Sequence, residues 1–72
     1  MIRIGTEGRI LAGDHVGWYV QVQDDGENTG GYLILIHSRR NFKNGEGYDY
    51  WVEKADLGRF FEESQWEVEW PE

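Results

Sequence analysis

Apolar and polar residues alternate one for one through much of this chain, which is the two-residue period of half-buried strands. In "VGWYVQVQ" (residues 16–23), Trp18, Val20 and Val22 fall on one face and Tyr19, Gln21 and Gln23 on the other. "YDYWVE" (48–53) sets Tyr48, Tyr50 and Val52 against Asp49, Trp51 and Glu53. In "WEVEW" (66–70), Trp66, Val68 and Trp70 oppose Glu67 and Glu69, and Pro71 stops the strand because proline has no ladder hydrogen to donate. "IRI" (2–4) and "RILA" (9–12) read as two short strands around the turn "GTEG". "GYLILIH" (31–37) is apolar on both faces, so it is expected in the middle of a sheet, covered on both sides, with its sequence neighbours beside it.

Turn chemistry separates these segments. Asp25-Gly26 and Asn44-Gly45 are hairpin signals, because glycine admits the positive φ of tight turns. The period then changes once. In "ADLGRFFEES", Leu57, Phe60, Phe61 and Ser64 fall at helical spacing, with Asp56 placed as an N-cap and Arg59 placed to pair with Glu63 one turn on. Gly58 weakens that helix by roughly 0.5–1 kcal/mol relative to alanine, so its apolar stripe must dock on the sheet.

The sum is an α+β domain spanning 1–72: a mostly antiparallel sheet of about five strands with one short helix before the C-terminal strand. Residues 54–65 form a crossover long enough for the last strand to return parallel or antiparallel. With apolar residues on both faces and one helix to cover them, the sheet is expected to curve strongly and become partly barrel-like. Trp66, Val68 and Trp70 should face the core beside Leu57, Phe60 and Phe61, turning Glu67 and Glu69 outward.

Composition sharpens this picture. A chain of this length buries only about 60% of its unfolded surface, and with no cysteine it has no disulfide to reinforce a small core. Four Trp, four Tyr and three Phe supply the dense packing instead. The longest apolar run is "YLILI", so neither a signal peptide nor a membrane span is expected, and the chain should stay in the cytoplasm.

Charge is the most uneven feature. Residues 1–43 carry five basic and five acidic side chains; residues 44–72 carry two basic against nine acidic, and so the whole net charge of −7. General nucleic-acid binding needs a cationic footprint that this balance lacks, whereas a basic protein partner suits it.

The candidate chemistry is sparse. Ser38 and Ser64 have no nucleophile-elbow context, His15 reads as a turn histidine in solvent, and His37 as a cap on the end of its strand. No enzyme, cofactor or metal site is expected: "DDGEN" (24–28) gathers oxygen ligands but lacks calcium-loop spacing and reads as a turn. The acidic surface is the principal candidate. Two carboxylates in a helix's last turn, Glu62 and Glu63, oppose its dipole, and Glu67 and Glu69 are poor strand formers. Such local conflicts concentrate at working sites.

The partner-binding set is therefore Glu62, Glu63, Glu67, Glu69, Asp49 and Glu53, with Tyr48 and Tyr50 as aromatic anchors. An alternative is a small curved module binding nucleic acid or a polar ligand through Arg39, Arg40, Lys43, Phe42 and Trp51, which interleave cations with stacking rings. In general character (short, acidic, aromatic-rich, one domain) the chain resembles the immunity proteins that bacteria keep against nuclease toxins. That resemblance implies an inhibitor that masks a nuclease or nucleic-acid-binding cleft, and it assigns no residue a role. Glu67, Glu69 and Pro71 resist edge pairing of the last strand, so a monomer or weak dimer is expected.

Overall fold

The computed structural model describes residues 2–39 and 47–71. Five strands, β1 (Glu7–Ala12), β2 (Tyr19–Asp25), β3 (Gly31–His37), β4 (Gly47–Glu53) and β5 (Glu67–Glu69), form one sheet in the order β4-β3-β2-β1-β5. Every adjacent pair is antiparallel. A turn of 3-10 helix (Lys54–Asp56) leads into α1 (Leu57–Glu63), which links β4 on one edge to β5 on the other. The last strand thus returns beside β1, antiparallel to it, and both directions the crossover allowed are decided by that pairing.

The sheet is open. Its edge strands β4 and β5 lie four strand spacings apart, about 19 Å, and they do not pair, so it does not close into a barrel. The physical reason lies in how the helix covers the strands. Because β-strand side chains alternate, α1 docks on one face only, and the apolar residues on the other face are left half-buried instead of enclosed.

The covered face is the core. Ile10, Val20, Val22 and Ile34 are fully buried and Ile36 nearly so, and Leu57 and Phe61 of α1 close over them. Register explains the selection: Val20 pairs with Ile36 and Val22 with Ile34 across β2 and β3, which puts the even-numbered side chains of both strands on the same side. A layer of rings completes this face. Trp66 sits edge-on to Phe60 (5.5 Å) and Phe61 (5.0 Å), and Trp70 stacks on Phe61 at 6.3 Å. Trp70 reaches the sheet only because β1 carries glycine below it: a Cβ on Gly8 would lie 2.7 Å from the Trp70 ring and 2.6 Å from Val68. The expected inward placement of Trp66, Val68 and Trp70 holds, and Glu67 and Glu69 are exposed.

Several local expectations fail for identifiable reasons. Residues 2–4 do not form a hairpin with β1: Ile4 makes an isolated parallel bridge to Val22, and the Gly5 amide donates to the Val22 carbonyl at 2.7 Å. Ile2 nevertheless packs against the core. The strand expected from residue 16 begins at Tyr19, because residues 14–17 form the turn between β1 and β2. In the β2–β3 hairpin the positive φ lies at Gly30 (80°), not at Gly26. The five-residue loop closes through amides of Asn28 and Thr29 donating to the Asp25 carbonyl, so the turn is longer than a two-residue one. Asn44-Gly45 lies outside the described residues.

The ends of α1 also differ from expectation. Asp56 occupies the N-cap position but makes no capping hydrogen bond, and its carboxylate lies 3.5 Å from Arg59 instead. That contact takes the guanidinium expected to pair with Glu63. At the C-terminus the Trp66 amide donates to the Phe61 carbonyl and the Gln65 amide to that of Glu62, a closure that requires Gln65 at φ 57°.

Candidate functional site

The uncovered face is where the chain departs from what stability needs. Four rows of facing residues cross it. Glu69, Arg9, Tyr19 and His37 make the first, and Glu7, Gln21, Leu35 and Asp49 the second. Gln23, Leu33 and Trp51 make the third; Asp25, Gly31 and Glu53 the fourth. Tyr19, Leu33 and Leu35 thus form a half-buried apolar centre flanked by carboxylates toward both edges.

Trp51 is held on this face by two contacts. Its ring lies over Gly31, where a Cβ would come within 2.6 Å of it, and its indole N–H donates to the Thr29 hydroxyl at 2.7 Å. It remains 46% exposed. A rigid, half-exposed indole with a satisfied N–H offers contact area at little entropic cost.

The electrostatics of the face follow from the same rows. Glu7, Asp25, Asp49, Glu53, Glu67 and Glu69 stand on it against Arg9, a formal balance of −5 in a chain of −7. Among the described residues the ion pairs are Lys54–Asp24 at 3.9 Å and Arg59–Asp56 at 3.5 Å, both belonging to the helix side. The charge is split by geometry: the β4 and β5 edges are about 19 Å apart, more than two screening lengths at physiological salt. They act as two acidic margins around an apolar strip, not as one uniform field.

The expected partner-binding set is therefore divided. Asp49, Glu53, Glu67 and Glu69 share the open face, whereas Glu62 and Glu63 are exposed on α1. Tyr48 and Tyr50 belong to the covered side: Tyr48 stacks on Trp18 at 5.9 Å and 9°, and Tyr50 meets Phe60 at 5.4 Å. Each keeps an exposed edge, 48% and 40%, but neither borders the acidic strip.

The alternative basic and aromatic segment is also dispersed. Arg39 is exposed just beyond β3, and Trp51 lies on the open face among Asp49 and Glu53. Arg40, Phe42 and Lys43 lie outside the described residues. Tyr48 and Tyr50 point to the opposite side from Trp51, so these three rings do not make one stacking platform.

Both histidines are placed. The Arg39 amide donates to His37 Nδ1 at 3.1 Å, which closes the end of β3. His15 is not in solvent as expected. It sits half-buried between Trp18 (4.9 Å) and Tyr48 (5.3 Å), in the left-handed region at φ 59°, with its Nδ1 buried and unpartnered among the described residues.

The two aspartates that open the 24–28 segment are occupied locally. Asp24 accepts from the Gly26 amide at 2.8 Å, and Asp25 from the Asn28 amide group at 3.1 Å and the Thr29 hydroxyl at 3.0 Å. Among the described residues no group of three or more His, Cys, Asp or Glu side chains is placed to hold a metal ion, and no helix is long and apolar enough to cross a membrane.

Sequence reasoning missed Glu7, Arg9, Tyr19, Leu33 and Leu35 as members of this face. The signal was present in "YLILI": a strand apolar on both sides, next to a single helix able to cover one of them. No family model matches the chain, and no curated protein or solved structure matches it either.

Proposed function

We propose that this protein is a non-enzymatic binding module that docks a basic protein partner on the uncovered face of its sheet, in the manner of an inhibitor masking a nucleic-acid-binding or nuclease cleft. The observation that carries this reading is the placement of Asp49, Glu53, Glu67 and Glu69 around the Tyr19, Leu33, Leu35 and Trp51 strip. Carboxylates at the margins steer encounter and occupy cationic sites meant for phosphate, while the apolar strip supplies contact area that loses water on association. Charge complementarity selects the partner: a face of net −5 repels nucleic acid and other acidic surfaces.

Capture from the source lysate at low and moderate salt tests the reading with three proteins. They are the wild type, an open-face variant (Asp49→Asn, Glu53→Gln, Glu67→Gln, Glu69→Gln) and a helix variant (Glu62→Gln, Glu63→Gln). The expected result is a basic protein held by the wild type and the helix variant, released as salt rises, and absent from the open-face variant. Retention by the open-face variant with loss from the helix variant moves the site to α1. Equal capture by all three returns the carboxylates to a role in solubility.

A further inference from the structure

The two edges of the sheet are protected very differently. β5 has three residues, sits beside a register shift between Ile10 and Ala12 of its neighbour β1, and is followed by Pro71. Short length, a bulge and a proline are the usual means by which proteins blunt an edge against strand addition. β4 has none of these. Its seven residues pair with β3 without a register shift from Gly47 opposite His37 to Glu53 opposite Gly31, and the strand contains no proline and no lysine. In an antiparallel ladder alternate backbone N–H and C=O groups point away from the neighbour, so the far side of β4 presents a row of donors and acceptors about 23 Å long.

The side chains beside that row are sorted by face. Asp49, Trp51 and Glu53 project to the open face; Tyr48, Tyr50 and Val52 project to the helix side, where Tyr48 and Tyr50 keep exposed edges. Trp51 is already held by Thr29, so it presents a fixed wall to whatever pairs next to it. Asp49 and Glu53 stand two positions either side of it and have no ion-pair partner among the described residues.

We infer that β4 is a docking edge that takes an extended segment of the basic partner as an added strand, with cationic side chains at alternate positions beside Asp49, Trp51 and Glu53 and apolar ones between them against Tyr48, Tyr50 and Val52. The inference rests on the proposed docking of a basic protein and names the element of that partner. Main-chain hydrogen bonds supply the pairing, and the two sorted rows of side chains supply specificity. A second copy of this chain fits the edge poorly. It would bring another −7 protein alongside and put the Asp49 and Glu53 of both copies on one continuous face.

The probe is a blocked peptide, Lys-Val-Lys-Val-Lys-Val-Lys, compared with a blocked peptide of the same composition in the order Lys-Lys-Lys-Lys-Val-Val-Val. Affinity is followed by ¹⁵N chemical shifts at low salt, and pairing by amide hydrogen exchange. The alternating peptide should bind roughly tenfold more tightly than the block peptide and slow exchange at alternate β4 amides. Asp49→Lys with Glu53→Lys should abolish that difference, and Glu67→Lys with Glu69→Lys on the other edge should leave it in place, each in protein shown to be folded. Equal binding of both peptides without β4 protection overturns the edge and leaves the acidic docking face standing. Binding by neither peptide also overturns it, with the face then judged by whole-protein capture alone. Concentration-dependent dimerisation that protects β4 without peptide overturns it in favour of self-pairing.

Discussion

The same strands build two unlike faces. On one, Ile10, Val20, Val22, Ile34 and Ile36 are sealed under Leu57, Phe61 and a layer of rings. On the other, Tyr19, Leu33 and Leu35 stay half-buried among carboxylates. Each face even repeats one device, a tryptophan laid across a glycine: Trp70 over Gly8 on the covered side, Trp51 over Gly31 on the open side. The difference teaches that alternation alone does not decide which apolar residues become core. The crossover does, because a single seven-residue helix has area for one face only, and the other face is left to hold whatever function requires.

Neighbouring residues of β3 test this most severely. Ile34→Ala should cost about 2–5 kcal/mol, since it empties a fully buried site, whereas Leu35→Ala on the other face should cost less, roughly 1–2 kcal/mol, because that side chain is only partly buried. Urea denaturation of both variants reads the gap directly. Equal losses would mean that the open face is covered in solution and would remove the site.

That test also marks how far the fold was legible. Strand alternation, the two-sided apolar run and the helical stripe around Leu57, Phe60 and Phe61 each translate into the observed elements because local periodicity is a local property. The inward direction of Trp66, Val68 and Trp70 was legible for the same reason. Closure of the sheet was not, since it depends on where the crossover delivers β5, and pairing beside β1 is a long-range choice. The site was half legible. Asp49, Glu53, Glu67 and Glu69 follow from alternation, but the same alternation sets Tyr48 and Tyr50 on the other face of β4, where they pack on Trp18 and Phe60, so grouping them with those carboxylates joins residues the sheet keeps apart. His15 was misjudged because one of the two rings that bury it, Tyr48, comes from β4, far from His15 and Trp18 in the sequence.

Trp51 offers a smaller and more selective perturbation. Trp51→Phe leaves a smaller ring near Gly31 and removes the hydrogen bond to Thr29, whose loss should cost about 0.5–1.5 kcal/mol of stability beyond the lost ring contact. For Trp70→Phe on the covered side the cost should track lost packing against Phe61 and Gly8. Thermal unfolding of the two variants sharpens the comparison: a Trp51→Phe loss confined to the 26–30 loop in hydrogen exchange identifies the indole as a local clamp.

Backbone strain distinguishes the two sides as well. The non-glycine residues at positive φ among those described are His15 at 59°, in the turn between β1 and β2, and Gln65 at 57°, in the turn from α1 to β5. The Asp14 amide donates to the Ser64 carbonyl, and the Trp66 indole to the Asp14 carbonyl, so these turns are stitched together. Gln65 is exposed, and glycine is the usual residue at this position after a helix. Gln65→Gly should therefore stabilise the protein by about 0.5–1 kcal/mol, the relief of left-handed strain less the added entropy of the unfolded chain. A raised urea midpoint with unchanged slope is the expected reading; a lowered one would show that the Gln65 side chain contributes more than its backbone costs.

The smallest effect is expected where the charge is densest. Glu67→Gln with Glu69→Gln should change stability by no more than about 0.5 kcal/mol per site. Both residues are exposed and stand two apart on one strand face, so neutralising them relieves like-charge repulsion while breaking no ion pair among the described residues. Glu69 faces Arg9 across β1 and β5, and a stabilising attraction would enter through that pairing. Glu67→Gln and Glu69→Gln measured singly separate the two contributions. A loss of 1–2 kcal/mol confined to Glu69→Gln would make that glutamate a partner of Arg9 within the fold and subtract it from the docking face. Unchanged stability in both, together with lost capture of the basic partner, assigns the β5 margin to binding, because a carboxylate that the folded chain can do without is then required only by what the chain meets.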